Sequence, residues 1–82
     1  MKIEFSPQAE RQLQAITSVW AERIRQKLLT YASNPSSLGN QIKRLKNIAA
    51  LRLRVGDYRV IFREDGVVLY VIKVGHRRDI YN

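Results

Sequence analysis

The 82-residue sequence predicts an α+β fold, a small twisted antiparallel sheet with an N-terminal helical hairpin packed on one face, in the order βααβββ. Three observations predict it. Trp20, Ile24, Leu28 and Tyr31 recur at the spacing of one helix face. Residues 50–64 alternate apolar with basic side chains about a Gly56-Asp57 turn. Asp65-Gly66 then leads into VVLYVIKV, an apolar run of strand length. The length suits one domain, residues 1–82, and a chain this short buries only roughly 60% of the surface its unfolded form exposes.

The elements follow in order. Lys2–Phe5 alternates polar and apolar residues and reads as a first strand. Ser6-Pro7 starts a helix, with Ser6 as N-cap and Pro7 at the first helical position. Ala9, Leu13 and Ile16 supply its apolar stripe. Thr17-Ser18 interrupts and offers a second cap, after which Ala21 and Ala32 join the stripe of the second helix. Glu22, Arg23 and Lys27 are expected toward solvent. Residues 33–41 (SNPSSLGNQ) read as a loop, because Pro, Gly, Ser and Asn together break a helix. Residues 42–48 fit either a basic helical turn or the approach to a strand.

Strand pairing can be worked out from the period of two. With residues 50–55 and 58–64 as strands about Gly56-Asp57, Val55 faces Tyr58, Leu53 faces Val60 and Leu51 faces Phe62. The opposite face then collects Arg54 with Arg59, Arg52 with Ile61, and Arg63. A last strand over 67–74 places Val67, Leu69 and Val71 in the core and Val68, Tyr70 and Ile72 on the arginine side. The two helices are expected to cover the apolar face and leave the arginine face open.

Charge is the strongest bulk signal. Fifteen Lys and Arg stand against seven Asp and Glu, a net +8 that calls for a polyanionic or acidic partner. Residues 1–40 hold five basic and three acidic side chains, a balance of +2; residues 41–82 hold ten and four, a balance of +6. The chain has no cysteine, one histidine and no carboxylate cluster at ligand spacing, so no cofactor and no metal are expected. No stretch approaches the ~20 apolar residues of a membrane helix, and no helix joins a strong apolar face to a fully basic one. A cytoplasmic chain without membrane contact is expected.

Arg54 facing Arg59 is unfavourable unless something completes the pair. A solubilising surface would more usually mix Lys, Glu and Thr. Arginine forks suit phosphate oxygens, and an exposed Tyr70 would stack on a base, although core packing suits Tyr70 better. A second cluster closes the chain: His76, Arg77, Arg78 and Tyr81. Strand return places Arg59, His76, Arg77 and Tyr81 toward one end of the sheet.

The runs LRLRVGDYRVIFR (51–63) and VGHRRDIY (74–81), with the opening KIEFSPQA (2–9) and the helical hairpin, resemble RelE-type toxins of the RelE/ParE superfamily over nearly the whole chain. The resemblance implies a type II toxin acting as a metal-independent endoribonuclease that cuts mRNA at the ribosome, by attack of a ribose 2′-hydroxyl on the adjacent phosphate. It matches Arg59 and Arg77 to transition-state-stabilising arginines, and Tyr81 to a tyrosine that orients or activates the nucleophile or stacks on a base. Arg52 falls where some relatives carry a proposed lysine base, and arginine does not suit that task. His76 is the side chain suited to proton transfer at neutral pH. Lys43, Arg44, Lys46, Arg54, Arg63 and Arg78 are expected to contact RNA or the ribosome. The implied partners are ribosome, mRNA and an acidic, partly disordered antitoxin, with a free monomer and a larger assembly with antitoxin. Two other readings fit the same basic fold: a ParE-like inhibitor of DNA gyrase and a noncatalytic nucleic-acid-binding module.

Overall fold

The computed structural model describes residues 1–80. The chain runs β1 (Lys2–Phe5), α1 (Pro7–Ala15), α2 (Ser18–Ser33), a 3₁₀ segment (Pro35–Gln41), β2 (Ile42–Arg44), β3 (Leu51–Val55), β4 (Tyr58–Glu64) and β5 (Val68–His76). Ser6 caps α1 by accepting the Ala9 N–H at 3.0 Å, and Pro7 occupies the first helical turn. Thr17 stands at the N-cap of α2, but its side chain makes no capping bond. Helix α2 buries Ala21, Ile24, Leu28, Tyr31 and Ala32, the face its spacing predicts. Full burial of Ile24 and Leu28 contributes about 1.5–3 kcal/mol each. Of the tract 33–41, expected as a loop, Ser33 ends α2 and Pro35–Gln41 winds into 3₁₀ turns with Gly39 at φ +45° and Leu38 buried.

The five strands lie in the order β1-β5-β4-β3-β2. β3 and β4 pair as their pattern requires: Leu51 with Phe62, Leu53 with Val60, Val55 with Tyr58, and Arg54 with Arg59. Residues 42–44 take the strand alternative and form a three-residue edge. The sheet is mixed rather than purely antiparallel, because β1 pairs with β5 in parallel. β1 lies beside the last strand only because the helical hairpin carries the chain across the sheet, a long-range choice that no local pattern encodes.

The alternation in β5 also departs from expectation. Val67 is 70% exposed, while Leu69, Val71 and Val74 are buried. Phe62 pairs with Val71 but Ile61 with Lys73, so Ile72 is an extra residue in the strand. This bulge sends Ile72 and Lys73 to the same side and shifts the phase of everything after it. Helix α1 and its cap satisfy the disturbed backbone. The Ser6 hydroxyl donates to the Ile72 carbonyl at 2.6 Å, and Gln12 Oε1 accepts the Val74 N–H at 2.6 Å.

The arginine face is not left open, a second correction. The C-terminal turn folds Ile80 onto Ile61 and Ala50, with Leu45 and Ile72 packed beside them, in a small apolar cluster opposite the main core. Ile61, an apolar interruption in the basic alternation, is the residue this lid covers. Tyr70 is half-buried, with the Arg63 guanidinium 5.3 Å from its ring centre.

At the β4–β5 turn, Asp65 Oδ1 accepts the Val67 and Val68 N–H groups at 2.9 and 2.8 Å. These backbone bonds hold its carboxyl below the ordinary value. Because the folded pKa is depressed, this contribution to stability is present above the unfolded pKa and is lost as pH falls through the folded one. Asp65→Ala is therefore expected to lower Tm at pH 7, with the gap to wild type closing under strong acid; a gap that persists there overturns the carboxylate role. Gln12→Ala removes the partner of a buried N–H and is expected to cost about 1–3 kcal/mol in urea unfolding. Gln14→Ala, on the exposed side of the same helix, should cost almost nothing.

Candidate functional site

The β3–β4 hairpin supplies the centre of the site. Gly56, with φ +59°, is the one position of the two-residue turn in the left-handed region, the pattern of a type II′ turn. A second demand falls on the same glycine: a Cβ there would overlap Cη2 and Cζ3 of Trp20. The hairpin tip thus rests directly on the indole. Trp20 also packs against Tyr58, ring centres 5.6 Å apart, and Tyr58 meets His76 edge-on at 5.9 Å. This row of rings fixes the end of the sheet against α2.

Arg54 and Arg59 remain paired across the hairpin. Their repulsion is relieved by backbone dipoles. Arg59 Nη1 donates to the carbonyls of Gly56 and Tyr58 at 2.9 and 3.0 Å, drawing the guanidinium toward its own turn. Arg77 reaches the same turn from the C-terminal side. Its N–H donates to the Asp57 carbonyl at 2.7 Å, and its Nε lies 3.6 Å from Asp57 Oδ1. Both side chains of that ion pair are more than half exposed, so its role is geometric more than energetic. Arg54, Arg59 and Arg77 all line an open groove of about 920 Å³ at this end of the molecule.

The other anticipated residues divide by position. His76 pairs with Tyr58, one register step from the Arg59–Gly75 pair, so the ring and the Arg59 side chain emerge on opposite faces. The β5 bulge causes this. Without the extra residue, the strand's parity would have put position 76 on the arginine side. His76 instead organises the turn that follows: its carbonyl accepts the Asp79 and Ile80 N–H groups at 2.8 and 3.0 Å, and its Nδ1 accepts that of Arg78 at 3.2 Å. In the neutral ring the hydrogen then sits on Nε2. Arg52 is half-buried in mid-sheet, flanked by Lys43 and Ile61. Arg44 and Arg63 line a separate hollow at the far end, about 10 Å along the strands. Lys46 and Arg78 are exposed, in the 45–50 loop and the C-terminal turn. Tyr81 lies outside the described residues. Trp20 and Asp57 were not anticipated as site residues; the only sign in the sequence was an aromatic at the first position of a helical stripe and an acid between four arginines.

Among the described residues no group of three or more His, Cys, Asp or Glu side chains could hold a metal ion. None of their helices is long and apolar enough to cross a membrane.

Residues 3–81 match the family described as ParE toxin of type II toxin–antitoxin system, parDE. The chain belongs to this family. It is accordingly a toxin of a type II toxin–antitoxin system, as its resemblance to the RelE/ParE superfamily implied. No curated protein sequence matches it. Among solved structures it is similar to the RelB–RelE antitoxin–toxin complex of Methanococcus jannaschii, at 25% identity over 94% of this chain and 93% of that one, with a TM-score of 0.72. The archaeal RelE–RelB complex of Pyrococcus horikoshii shares the fold at a TM-score of 0.78 and 20% identity, covering 95% and 96% of the two chains. The YoeB dimer of Staphylococcus aureus does so at 0.76 and 20%, covering 93% and 95%.

The Gly56–Trp20 contact holds the hairpin that carries Arg54, Arg59 and Asp57. Gly56→Ala is expected to destabilise this toxin by about 2–4 kcal/mol, combining overpacking with left-handed strain. Gly39→Ala, also at positive φ but with open space around it, isolates the strain term and should cost less. Equal losses in urea unfolding would show that the indole contact adds nothing.

Proposed function

We propose that this toxin is a ribosome-dependent, metal-independent mRNA endoribonuclease. The observation that carries the reading is the convergence of Arg54, Arg59 and Arg77 on one groove from two strands and a turn. Attack of a 2′-hydroxyl on the adjacent phosphate concentrates negative charge on the nonbridging oxygens. Guanidinium forks prearranged around that phosphate stabilise the charge as it develops and remain protonated at any working pH.

Arg59 and Arg77 take the electrostatic role. Arg59 is steered by the turn carbonyls and Arg77 by Asp57, so both are partly oriented before substrate arrives. His76 faces away from Arg59 and holds the Arg77 turn by its carbonyl and Nδ1, which supports a positioning role rather than proton transfer. Orientation or activation of the nucleophile falls to Tyr81, on the resemblance. Arg52 has the wrong chemistry for a base; it, Lys43, Lys46 and Arg78 serve as contacts to RNA or the ribosome, with Arg44 and Arg63 at the far end. The groove is wide open, so the ribosome supplies the walls that hold the codon.

The neutralising partner is an antitoxin with an acidic segment that folds on binding, and a net charge of +8 speeds its capture. The complexes of the related toxins with RelB antitoxins support an antitoxin partner. A second reading, poisoning of DNA gyrase by protein contact, is favoured by the family description itself.

Purified protein in a reconstituted translation reaction decides between them. Ribosome-dependent cuts within codons, falling ~10²–10³-fold in rate with Arg77→Ala, are expected. Intact mRNA together with blocked gyrase supercoiling would transfer the function to the second reading.

A further inference from the structure

The groove does not end at the three arginines. Its opposite wall is helix α2, from which Arg23 and Lys27 line the same hollow. Arg23 is not a loose surface cation: its guanidinium lies 4.8 Å from the centre of the Trp20 ring, the same indole that supports Gly56. One aromatic therefore positions the hairpin on one side and a cation on the other. Lys27 stands one helical turn further along α2, on the same side.

The carboxylates of the groove are already engaged. Glu22 Oε1 accepts from Gln26 Nε2 at 2.9 Å, and Asp57 faces Arg77. Lys27 and Arg54 make no ion pair or hydrogen bond among the described residues. Among the described residues, five cations against two acids leave a net +3 along a trough. A solvated helix face would not need these cations to converge on a second element. A backbone carrying a phosphate at every step would.

We infer that α2 forms a second phosphate-binding wall, with Arg23 and Lys27 gripping the RNA strand as it runs on from the phosphate held by Arg59 and Arg77. The inference rests on reading the groove as an RNA site. It extends that site to helix residues outside the cleavage machinery, whose task is to hold the strand's course and register. The occupant is single-stranded: an open trough with an aromatic-backed arginine and flexible lysine suits a bendable backbone.

The test uses a short fluorescein-labelled RNA, 2′-O-methylated at every ribose so that it cannot be cut, and binding read by anisotropy without ribosomes. Arg23→Gln/Lys27→Ala is expected to bind about tenfold more weakly near 0.1 M salt, and to reduce the slope of log K against log salt by roughly 1.4 for two lost contacts. Lys27→Ala alone, which leaves the Trp20 contact intact, should lose about half of that slope change. Arg11→Ala, exposed on α1, should bind as wild type. Unchanged affinity and slope in the folded double variant overturn the inference. So does unchanged RNA binding with lost binding of a poly-glutamate peptide, which would assign the wall to an acidic protein. Because the probe is uncleavable, RNA binding that depends on Arg23 and Lys27 without mRNA cleavage in translation would remove the nuclease reading and leave this wall standing.

Discussion

The fold turns on a single extra residue in its last strand. Ile72 breaks the register between β4 and β5, and the carbonyl and amide groups it disturbs are taken up by Ser6 and Gln12. The N-terminal helix is thereby bonded to the sheet as well as packed on it. The same residue changes the parity of β5: Val71 and Val74, three apart, both face the core, and His76 arrives beside Tyr58. A strand without the bulge would bury a different set and present a different end.

At that end an aromatic row joins the two layers. Trp20 from α2, Tyr58 from β4 and His76 from β5 pack in succession, tilted and edge-on, with Gly56 seated on the indole. The site's arginines lie just outside this row. Their mutual repulsion is met by local means: Arg59 turns to two carbonyls of its own hairpin, and Arg77 meets Asp57 at the turn. A chain of 82 residues with a thin core can carry this concentration of charge because the cations sit at the rim, within reach of water.

The family relationship and the geometry address different questions. Residues 3–81 make the chain a ParE-family toxin, and the architecture is shared with RelE and YoeB toxins. Which molecule it disables is a matter for the site. In the proposed function the three arginines of the groove favour RNA, and His76, turned away from the arginine face, supports the turn that carries Arg77. The C-terminal turn does two things at once: Ile80 closes the small cluster over Ile61, and that closure fixes the path on which Arg77 returns to the hairpin.

Sequence alone determined what short-range periodicity can specify. The capped start at Ser6-Pro7, the buried face of α2 and every pair in the β3–β4 hairpin follow from spacings of 3.6 and 2. Arg54 opposite Arg59 was legible for that reason. Tertiary structure decided what depends on partners distant in the chain. The parallel docking of β1, the strand at residues 42–44 and the bulge each hinge on a neighbour in another element. Trp20 became part of the site, and His76 left the arginine face, because a one-residue shift inverts which side of a sheet a residue serves. No local pattern records that shift, since Gln12 and Ser6, the groups that stabilise it, lie 62 and 66 positions from the backbone atoms they bind.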